Sequence, residues 1–512
     1  CLRCYLNMLE KINFTQYKSN FSYFVFFSFF LLGMAFTLVF SPSNLYYLAP
    51  FIMAPIFYCC LKMPPKLSAS YLFSFGLGHF LTGVYWIYIS VHSFGQAPIW
   101  IAIFLMLGLI ILMSSYFALA GYLISWWANG RTIVLIFIGP SIWILFEWLR
   151  GWMFTGFPWM SVGYSQIDTF LSGWGPLFGV LGVSWCVSIS ATIFIYFVLQ
   201  KKYLLALLLM SVPYVLGFGL NLISWTNDSG QPIKTVIIQG GVPQNLKWTA
   251  EQFPKTLNLY HQATKNSPKN SFIVWPEVAV PATTRDIQVY LESIQKEAQE
   301  SNKKIALGVL EKNKDSDQLF NSMLFLDGKR EQYYRKRHLV PFGEYFPVPR
   351  FIRQWMRLQS LPNTDLSKGD QIQPLIEFNK DLLLATAICY EIAFGSEQLY
   401  AFPEAGILIN VSNDAWFGNS IAPYQHLQVS RMRSLEVGRD MVRATNNGIS
   451  AFIGPRGEVN QRSEQFVFAM LSADIQPRLG STPYVLFGNW PILILSSLIL
   501  LFSRIPKKKN PI

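Results

Sequence analysis

The chain has 512 residues, of which 52% are hydrophobic, 16% aromatic and only 14% charged, whereas an average soluble domain has about 25% charged residues. This composition excludes a disordered chain and argues against a wholly soluble one, so a membrane protein with a smaller soluble part is favoured. The formal net charge of +12 would suit a nucleic-acid partner, but in so apolar a chain it more often reflects basic loops at a cytoplasmic membrane surface. No nucleic-acid partner is therefore expected.

Repeated apolar runs in the first 225 residues have the length of a bilayer-spanning helix, about 20 residues. Seven spans are predicted, at residues 21–40, 44–61, 69–90, 98–128, 133–149, 174–199 and 203–223. The apolar stretch 151–172 is interrupted by residues such as Gly156 and Pro158, which favours a re-entrant or interfacial loop. An eighth span is predicted at 485–502, after a long segment of ordinary soluble composition.

The distribution of Lys and Arg predicts the orientation of these helices, since both residues are retained on the cytoplasmic side. Alternate loops and both ends carry the positive charge, at Arg3, Lys11, Lys18, Lys62, Lys66, Arg131, Lys201, Lys202, Arg504, Lys507, Lys508 and Lys509. Both termini are therefore predicted to be cytoplasmic. The resulting parts are a membrane domain at 1–225, an external (periplasmic) domain at 226–483, and a last span with a basic tail at 484–512.

Two charged residues, Glu147 and Arg150, lie three positions apart near the end of a predicted span. Charged residues at such positions are often functional, so the pair is a candidate site for a lipid headgroup. The spacing also suits a local structural ion pair, and that simpler interpretation is favoured.

The external segment has short β-rich runs that alternate with helix-compatible stretches, which predicts an α/β layered domain with its site at strand ends. Strands are predicted at 234–238, 272–275, 304–310, 322–326, 331–335, 382–388, 407–411 and 449–454. Helices are predicted at 249–265, 285–301 and 423–443. Asp327 and Gly328 lie between two strand-like runs and predict a tight hairpin turn.

Common catalytic motifs are missing from the sequence. It has no GxSxG elbow, no GxxxxGK phosphate loop and no HExxH zinc motif. The five histidines are His79, His92, His261, His338 and His426, and their spacing fits no metal site. We therefore expect neither a metal nor a cofactor.

Cys389 is the only cysteine of the external segment, so it has no disulfide partner within that segment. A single cysteine is more often a buried, inert thiol. Its position directly after an apolar strand would, however, let a sharp turn present the sulfur to a cleft. A thiol with an ordinary pKa of about 8.5 then needs a base, and acyl transfer needs a donor for the oxyanion.

Two other segments offer such groups at predicted strand ends. Glu277 follows the strand that ends in Trp-Pro-Glu, where Pro276 restricts the turn. Lys336 ends the second strand of the predicted hairpin, and Glu344 follows eight residues later in a loop bounded by Pro and Gly. Each charge alone is more often a solvated loop residue, but the three segments together form a specific pattern.

The segments Trp-Pro-Glu (275–277), Arg-Lys-Arg-His-Leu-Val-Pro-Phe-Gly-Glu (335–344) and Ile-Cys-Tyr-Glu (388–391) resemble the Glu-Lys-Cys triad motifs of the nitrilase superfamily. With membrane helices on both sides, the chain resembles the membrane-bound apolipoprotein N-acyltransferases of that superfamily. The stretches 239–248, 413–418 and 443–450 add to the likeness. The resemblance implies an αββα sandwich in the external domain and an inner-membrane location.

The resemblance also implies a two-step reaction without a cofactor. Cys389 would take an acyl chain from the sn-1 ester of a phospholipid, typically phosphatidylethanolamine, and the resulting thioester would acylate the α-amine of a diacylglyceryl-cysteine on an apolipoprotein. Glu277 would be the general base. Lys336 would stabilise the oxyanion, with help from the backbone N–H of Tyr390.

Further residues acquire roles by the same resemblance. Glu344 would be an additional active-site carboxylate that orients Lys336 or the base, and Glu391 its neighbour beyond the nucleophile. Trp248, Tyr390 and Trp416 would surround the acyl and substrate cleft. Packing in the aromatic core is the alternative for these three residues.

Two other functions stay open at this point. A membrane-tethered nitrilase or amidase would use the same residues to hydrolyse a small amide, although eight helices are many for a tether. A polytopic transporter with an external binding domain would need more intramembrane charges than the sequence has. The segment 351–361 mixes apolar residues with Arg and predicts an interfacial lid; an ordinary surface helix is the alternative.

Overall fold

The structure is a computed structural model, and it describes residues 19–313, 316–346, 354 and 365–503. Within these ranges an N-terminal set of apolar helices precedes a domain of two large β-sheets, and one more apolar helix follows. Apart from residue 354, the predicted lid at 351–361 lies outside the described residues.

The apolar runs of the N-terminal part form helices at the predicted positions. These helices are α1 (Ser19–Thr37), α2 (Ala49–Lys62), α3 (Pro65–Gly83), α4 (Ile99–Ala128), α5 (Thr132–Arg150), α6 (Gly175–Leu199), α7 (Tyr203–Met210) and α8 (Val212–Asn221). A short helix at Trp86–Tyr88 and a π-helical turn at Ile89–Phe94 follow α3.

In the part of the chain that the structure describes, four stretches are long and apolar enough to cross a membrane: Ile99–Ala128, Thr132–Arg150, Phe170–Leu199 and Tyr203–Asn221. A fifth would be the pair Pro65–Gly83 and Trp86–Phe94, whose axes meet at 51°. Shorter apolar helices lie at Ser22–Thr37, Tyr46–Lys62 and Trp490–Ser503. The chain thus carries a helical membrane part, while the number of eight crossings stays a prediction.

The connection between α5 and α6 does not form a spanning helix. It consists of 3-10 turns at Met153–Thr155, Val162–Gln166 and Phe170–Trp174, and most of it is buried. The positive φ of +82° at Gly156 explains the glycine there, because a side chain would strain this backbone conformation. The prediction of a loop in this region is confirmed.

The β-sheet domain begins at the first strand and contains fourteen strands within the described residues. They are β1 (Thr226–Asp228), β2 (Ile233–Gln239), β3 (Phe272–Val274), β4 (Lys304–Lys312), β5 (Leu319–Leu326), β6 (Glu331–Arg335), β7 (Ile376–Asn379), β8 (Leu382–Ile388), β9 (Ala405–Ser412), β10 (Met441–Thr445), β11 (Ala451–Ile453), β12 (Val459–Arg462), β13 (Ala469–Ile475) and β14 (Arg478–Gly480). One six-stranded sheet has the order β13-β2-β3-β4-β5-β6, and the other has β12-β11-β10-β9-β8-β7. The short strands β1 and β14 pair with each other.

The two six-stranded sheets pack face to face. Val274 and Phe325 of the first sheet share one buried cluster with Ile388 and Val411 of the second. Helices α9 (Gln252–Asn266) and α10 (Gln288–Glu300) cover the outer face of the first sheet, and α11 (Ala422–Val437) covers that of the second. This arrangement is the predicted αββα sandwich.

The domain joins the apolar helices through α11 and the second sheet. Met432 and Leu435 of α11 share a buried cluster with Ile144 of α5 and Val183 of α6. A short helix at Pro483–Phe487 leads to α12 (Trp490–Ser503), which packs against α5. One continuous apolar core therefore connects the sandwich with the membrane part.

Some predicted element bounds were wrong. The helix predicted to reach residue 443 ends at Val437, because Gly438 adopts a left-handed φ of +62° and stops it. Residues 441–445 then form β10, a fully buried strand inside the second sheet. The hairpin between β5 and β6 is confirmed, although its loop has four residues, Asp327–Arg330.

Candidate active site

The three residues of the predicted triad lie at the carboxyl ends of strands. Lys336 directly follows β6, Cys389 directly follows β8, and Glu277 lies three residues beyond β3. Strands β3 and β6 run in the same direction, so their carboxyl ends meet at one edge of the first sheet. The end of β8 in the facing sheet lies opposite that edge, and the sandwich thereby brings all three residues together.

Glu277 is 6% exposed, and both of its carboxylate oxygens accept hydrogen bonds. Oε1 accepts from Nδ2 of Asn321 at 2.7 Å and from Nζ of Lys336 at 3.4 Å. Oε2 accepts from the backbone N–H of Asn413 at 2.8 Å. Three donors thus fix the orientation of the carboxylate.

A glycine makes room for Glu277. A Cβ atom at Gly308 on β4 would lie 2.5 Å from the Cα atom of Glu277, which is closer than real Cβ contacts. The loop after β3 can therefore lie directly against β4. Any larger residue at position 308 would displace Glu277.

Lys336 is 1% exposed and lies between two carboxylates. Its Nζ is 2.9 Å from Oε1 of Glu344 and 3.4 Å from Oε1 of Glu277. Burial would lower the pKa of Lys336, but the charges of Glu344 and Glu277 outweigh that effect and raise the pKa above its ordinary value. The ammonium group therefore stays charged, as an oxyanion donor must.

Asn321 on β5 connects the two carboxylates that flank Lys336. Its Nδ2 donates to Glu277 at 2.7 Å and to Oε1 of Glu344 at 2.9 Å. Oε2 of Glu344 accepts from the backbone N–H of Val340 at 2.8 Å. The sequence analysis did not select Asn321. The feature that could have indicated it is the presence of an amide side chain within the apolar run of β5.

Cys389 begins a 3-10 turn at Cys389–Ala393, and its φ of +53° is left-handed. Such a conformation is strained for a residue with a side chain, and strained turns often present a reactive group. Burial, together with the negative charge of Glu277, raises the pKa of the Cys389 thiol, although Lys336 opposes that shift. The resting sulfur is therefore protonated, and the reaction needs a base that removes the proton.

Glu391 connects the turn of Cys389 to the loop that carries Lys336. It accepts from the backbone N–H of Ile388 at 2.7 Å and from that of Arg337 at 2.6 Å. It also accepts from the backbone N–H of His338 at 3.2 Å and from the hydroxyl of Tyr334 at 3.1 Å. Burial raises the pKa of Glu391, while these donors oppose the shift. Its position indicates that it supports the geometry of the site.

Tyr390 faces the membrane part of the protein. Its hydroxyl donates to the carbonyl oxygen of Gly156 at 3.0 Å, within the loop between α5 and α6. Its ring contacts Phe394, with 5.0 Å between the ring centroids. The residue next to Cys389 is thus attached to the membrane part.

Trp248 and Trp416 are 55% and 40% exposed, respectively. Neither is a core residue, so the alternative of aromatic core packing is wrong for both. The ring of Trp416 contacts that of Phe94, and its carbonyl oxygen accepts from Ser90 Oγ at 2.8 Å. Trp416 therefore lies where the membrane part meets the sandwich.

The prediction that Glu147 and Arg150 form a local ion pair is wrong. Both residues are buried, and each binds the loop between α5 and α6 instead of the other. Arg150 donates to the carbonyl oxygens of Phe157 and Trp159, and Oε1 of Glu147 accepts from the backbone N–H of Val162 at 3.0 Å. The two charges therefore fix the shape of the loop that contacts Tyr390.

Among the described residues, no group of three or more His, Cys, Asp and Glu side chains could hold a metal ion. The residues around Cys389 instead provide a thiol, a carboxylate base and an ammonium donor. These groups are sufficient for acyl transfer through a covalent intermediate.

Comparison with known proteins gives matches over both parts of the chain. The family model for the apolipoprotein N-acyltransferase N-terminal domain matches residues 32–193, and the one for carbon-nitrogen hydrolases matches residues 237–484. The chain is 35% identical over 486 residues to the apolipoprotein N-acyltransferase of Methylococcus capsulatus, across 93% of this chain and 95% of that protein. It is 38% identical over 481 residues to that of Nitrosomonas europaea, across 92% and 95%.

Solved structures are more distant. Saccharomyces cerevisiae Nit3, a member of branch 10 of the nitrilase superfamily, is 16% identical, with a TM-score of 0.36. The match covers 56% of this chain and 100% of Nit3.

Proposed function

The chain belongs to the apolipoprotein N-acyltransferase family and is an acyltransferase that N-acylates lipoproteins, and we propose that it does so through a thioester on Cys389. The acyl donor is a phospholipid, with the sn-1 chain of phosphatidylethanolamine as the expected source. The acceptor is the α-amine of a diacylglyceryl-cysteine at the N-terminus of an apolipoprotein.

In the first step Glu277 takes the proton of the Cys389 thiol while the sulfur attacks the ester carbonyl carbon. Lys336 and the backbone N–H of Tyr390 stabilise the oxyanion. The tetrahedral intermediate then breaks its bond to the glycerol oxygen, which leaves with the proton from Glu277. The products are an acyl thioester on Cys389 and a lysophospholipid.

In the second step the acceptor amine attacks the thioester carbonyl, and Glu277 takes a proton from the nitrogen. The same two donors stabilise the second oxyanion. The bond to sulfur breaks, the Cys389 thiolate regains the proton from Glu277, and an amide is formed. Each group is therefore used twice, and the enzyme returns to its starting state.

The observation that carries this proposal is the burial of Lys336 between Glu277 and Glu344, next to the strained turn of Cys389. Two carboxylates exceed what is needed to neutralise one ammonium group. The excess negative charge suits a site that must accept a proton from a thiol and hold a cation in place. A purely structural ion pair would not require the adjacent left-handed cysteine.

The contact of the nucleophile turn with the membrane part supports lipid substrates. The hydrogen bond from Tyr390 to Gly156 is made by the residue after Cys389, so the site lies next to the loop between the apolar helices α5 and α6. We propose eight membrane crossings with both termini in the cytoplasm and the sandwich in the periplasm. Five candidate spans, counting the bent pair, and three shorter apolar helices give the required number.

Detection of the acyl thioester tests the proposal. The purified enzyme is incubated with phosphatidylethanolamine vesicles, and Cys389 is examined by mass spectrometry for a fatty-acyl adduct that hydroxylamine removes. We expect one adduct per chain, release of lysophospholipid, and transfer of the acyl chain when a diacylglyceryl-cysteine peptide is added.

Two other results would contradict the proposal. No adduct on Cys389, with normal product formation, would exclude the thioester. Rapid hydrolysis of a small amide together with no transfer to the lipopeptide would favour the tethered amidase. A lipopeptide with an acetylated α-amine is the matched control, because it presents the same lipid without a nucleophile.

A further inference from the structure

A buried series of hydrogen bonds lies behind the nucleophile and has no role in the chemistry described above. Nε2 of His426 is 3.2 Å from the carbonyl oxygen of Cys389, and Nδ1 is 2.8 Å from Oδ1 of Asp414. Oδ2 of Asp414 accepts from Nη2 of Arg443 at 2.8 Å. The side chains of His426, Asp414 and Arg443 are completely buried.

The acceptors around His426 determine where its protons lie. Carbonyl and carboxylate oxygens accept hydrogen bonds and cannot donate them, so a ring that donates to both Cys389 and Asp414 carries both N–H protons and a positive charge. Burial would raise the pKa of Asp414, but the charges of His426 and Arg443 outweigh burial and hold the pKa well below its usual range. The hydroxyl of Ser412 also donates to Asp414, at 2.7 Å. Burial and the charge of Arg443 lower the pKa of His426, whereas the charge of Asp414 and the carbonyl oxygen of Cys389 oppose that shift and favour the charged ring. The charged ring is the form that donates to Cys389 and Asp414 together.

The hydrogen bond to Cys389 controls the direction of a peptide plane. The carbonyl of Cys389 and the N–H of Tyr390 belong to one planar trans peptide, in which they point in opposite directions. While His426 holds the carbonyl oxygen on one side, the N–H of Tyr390 points to the other. Because the φ of Cys389 is +53°, this plane is held in a strained conformation that would relax without support.

The helix that carries His426 is itself fixed to the membrane part by the preceding residue. Oε1 of Gln425 accepts from Nε1 of Trp159 at 2.8 Å, and its Nε2 donates to the carbonyl oxygen of Gly83 at 3.2 Å. The ring of Trp159 also contacts that of His426, with 5.4 Å between centroids. The imidazole thus has little freedom to follow a peptide plane that rotates.

We propose that His426, oriented by Asp414 and Arg443, is a positioning residue that aims the Tyr390 N–H at the oxyanion. This role rests on the proposed thioester chemistry of Cys389. His426 does not touch the substrate and does not activate the thiol; it acts through the peptide that follows the nucleophile. The hydrogen bond also polarises that peptide, which strengthens its N–H as a donor.

Variants of His426 separate this role from simple packing. His426→Leu keeps an apolar side chain of similar size but loses the donor, and we expect thioester formation to slow on the order of 10²-fold, as for the loss of one oxyanion donor. Alkylation of Cys389 by iodoacetamide needs no oxyanion donor, so its rate should stay within about threefold of wild type. The amide of His426→Gln can reach the same carbonyl oxygen. This variant should therefore form the thioester at least about tenfold faster than His426→Leu.

Ser434→Ala is the matched control, because it removes buried hydrogen bonds from the same helix without contacting the turn of Cys389. Its thioester rate per folded molecule should equal that of wild type. If His426→Leu does not fold, His426→Asn provides the comparison, since its amide is one methylene shorter than that of Gln and falls short of the carbonyl. His426→Gln should then form the thioester at least about tenfold faster than His426→Asn.

Three results would overturn the proposal. The first is a wild-type thioester rate in His426→Leu. The second is a thioester rate of His426→Gln that is as low as that of His426→Leu or His426→Asn. The third is a parallel loss of alkylation and thioester formation, which would indicate a general collapse of the turn. If the wild-type enzyme itself forms no thioester, the proposed function fails as well, so the two failures are distinguishable.

Discussion

Replacement of Glu277 by Gln tests the central assignment of the active site. The substitution keeps the size of the side chain and removes its charge and its capacity to accept a proton. In the structure both oxygens of Glu277 accept from donors: Asn321 and Lys336 on one side and the backbone of Asn413 on the other. A Gln amide in either orientation therefore points its NH₂ group at a donor, which costs about 1–3 kcal/mol of stability.

The effect on rate follows from the state of the thiol. Burial and the charge of Glu277 raise the pKa of Cys389, so the sulfur is protonated and cannot attack without a base. Loss of a general base slows a reaction on the order of 10² to 10⁴-fold. Removal of the Glu277 charge lets the thiol ionise somewhat more easily and offsets part of this loss. We therefore expect a decrease of about 10³-fold, or about 4 kcal/mol in activation free energy.

A single-turnover assay distinguishes this effect from a folding defect. Enzyme in excess over labelled phospholipid is quenched at successive times, and acyl-Cys389 and lysophospholipid are quantified separately. The folded fraction is measured in parallel. Glu292→Gln, an exposed carboxylate on α10, is the matched control and should react at the wild-type rate. If Glu277→Gln formed the thioester as fast as wild type, Glu277 would not be the base of the first step.

Four further outcomes are expected. Cys389→Ser should form neither a stable acyl-enzyme nor the N-acylated product, because a hydroxyl is a far weaker nucleophile; normal turnover would remove Cys389 from the mechanism. Since burial raises the thiol pKa, alkylation of wild-type Cys389 by iodoacetamide should still be increasing at about pH 9, and a plateau near pH 7 would contradict the protonated resting state. Asn321→Leu should lower the melting temperature and slow both half-reactions, because two buried carboxylates lose a donor; a defect in only one half-reaction would argue against a shared role. Topology reporters near Asn129 and Lys201 should report the cytoplasm and one near Ser229 the periplasm, whereas a cytoplasmic residue 229 would refute the proposed orientation.

Much of the fold could be predicted from local patterns. Apolar runs predicted the positions of the helices, since a membrane span depends on composition over about 20 residues. The eight predicted strands all exist, and β6 and β8 have the predicted bounds. The error at 438–443 arose because β10 is buried on both faces and lacks the alternation that marks a half-exposed strand, so a helix seemed equally compatible.

The sequence by itself determined which residues are proposed to carry the chemistry, because thiol, ammonium and carboxylate groups at strand ends form a recognisable pattern within short motifs. Only the tertiary structure decided how they are held. Asn321 connects Glu277 to Glu344 across loops that are far apart in the chain, and His426 reaches Cys389 from a helix outside the second sheet. Such contacts depend on how two sheets and a helix pack together, and a residue's local sequence contains no information about a partner that folding brings to it from elsewhere.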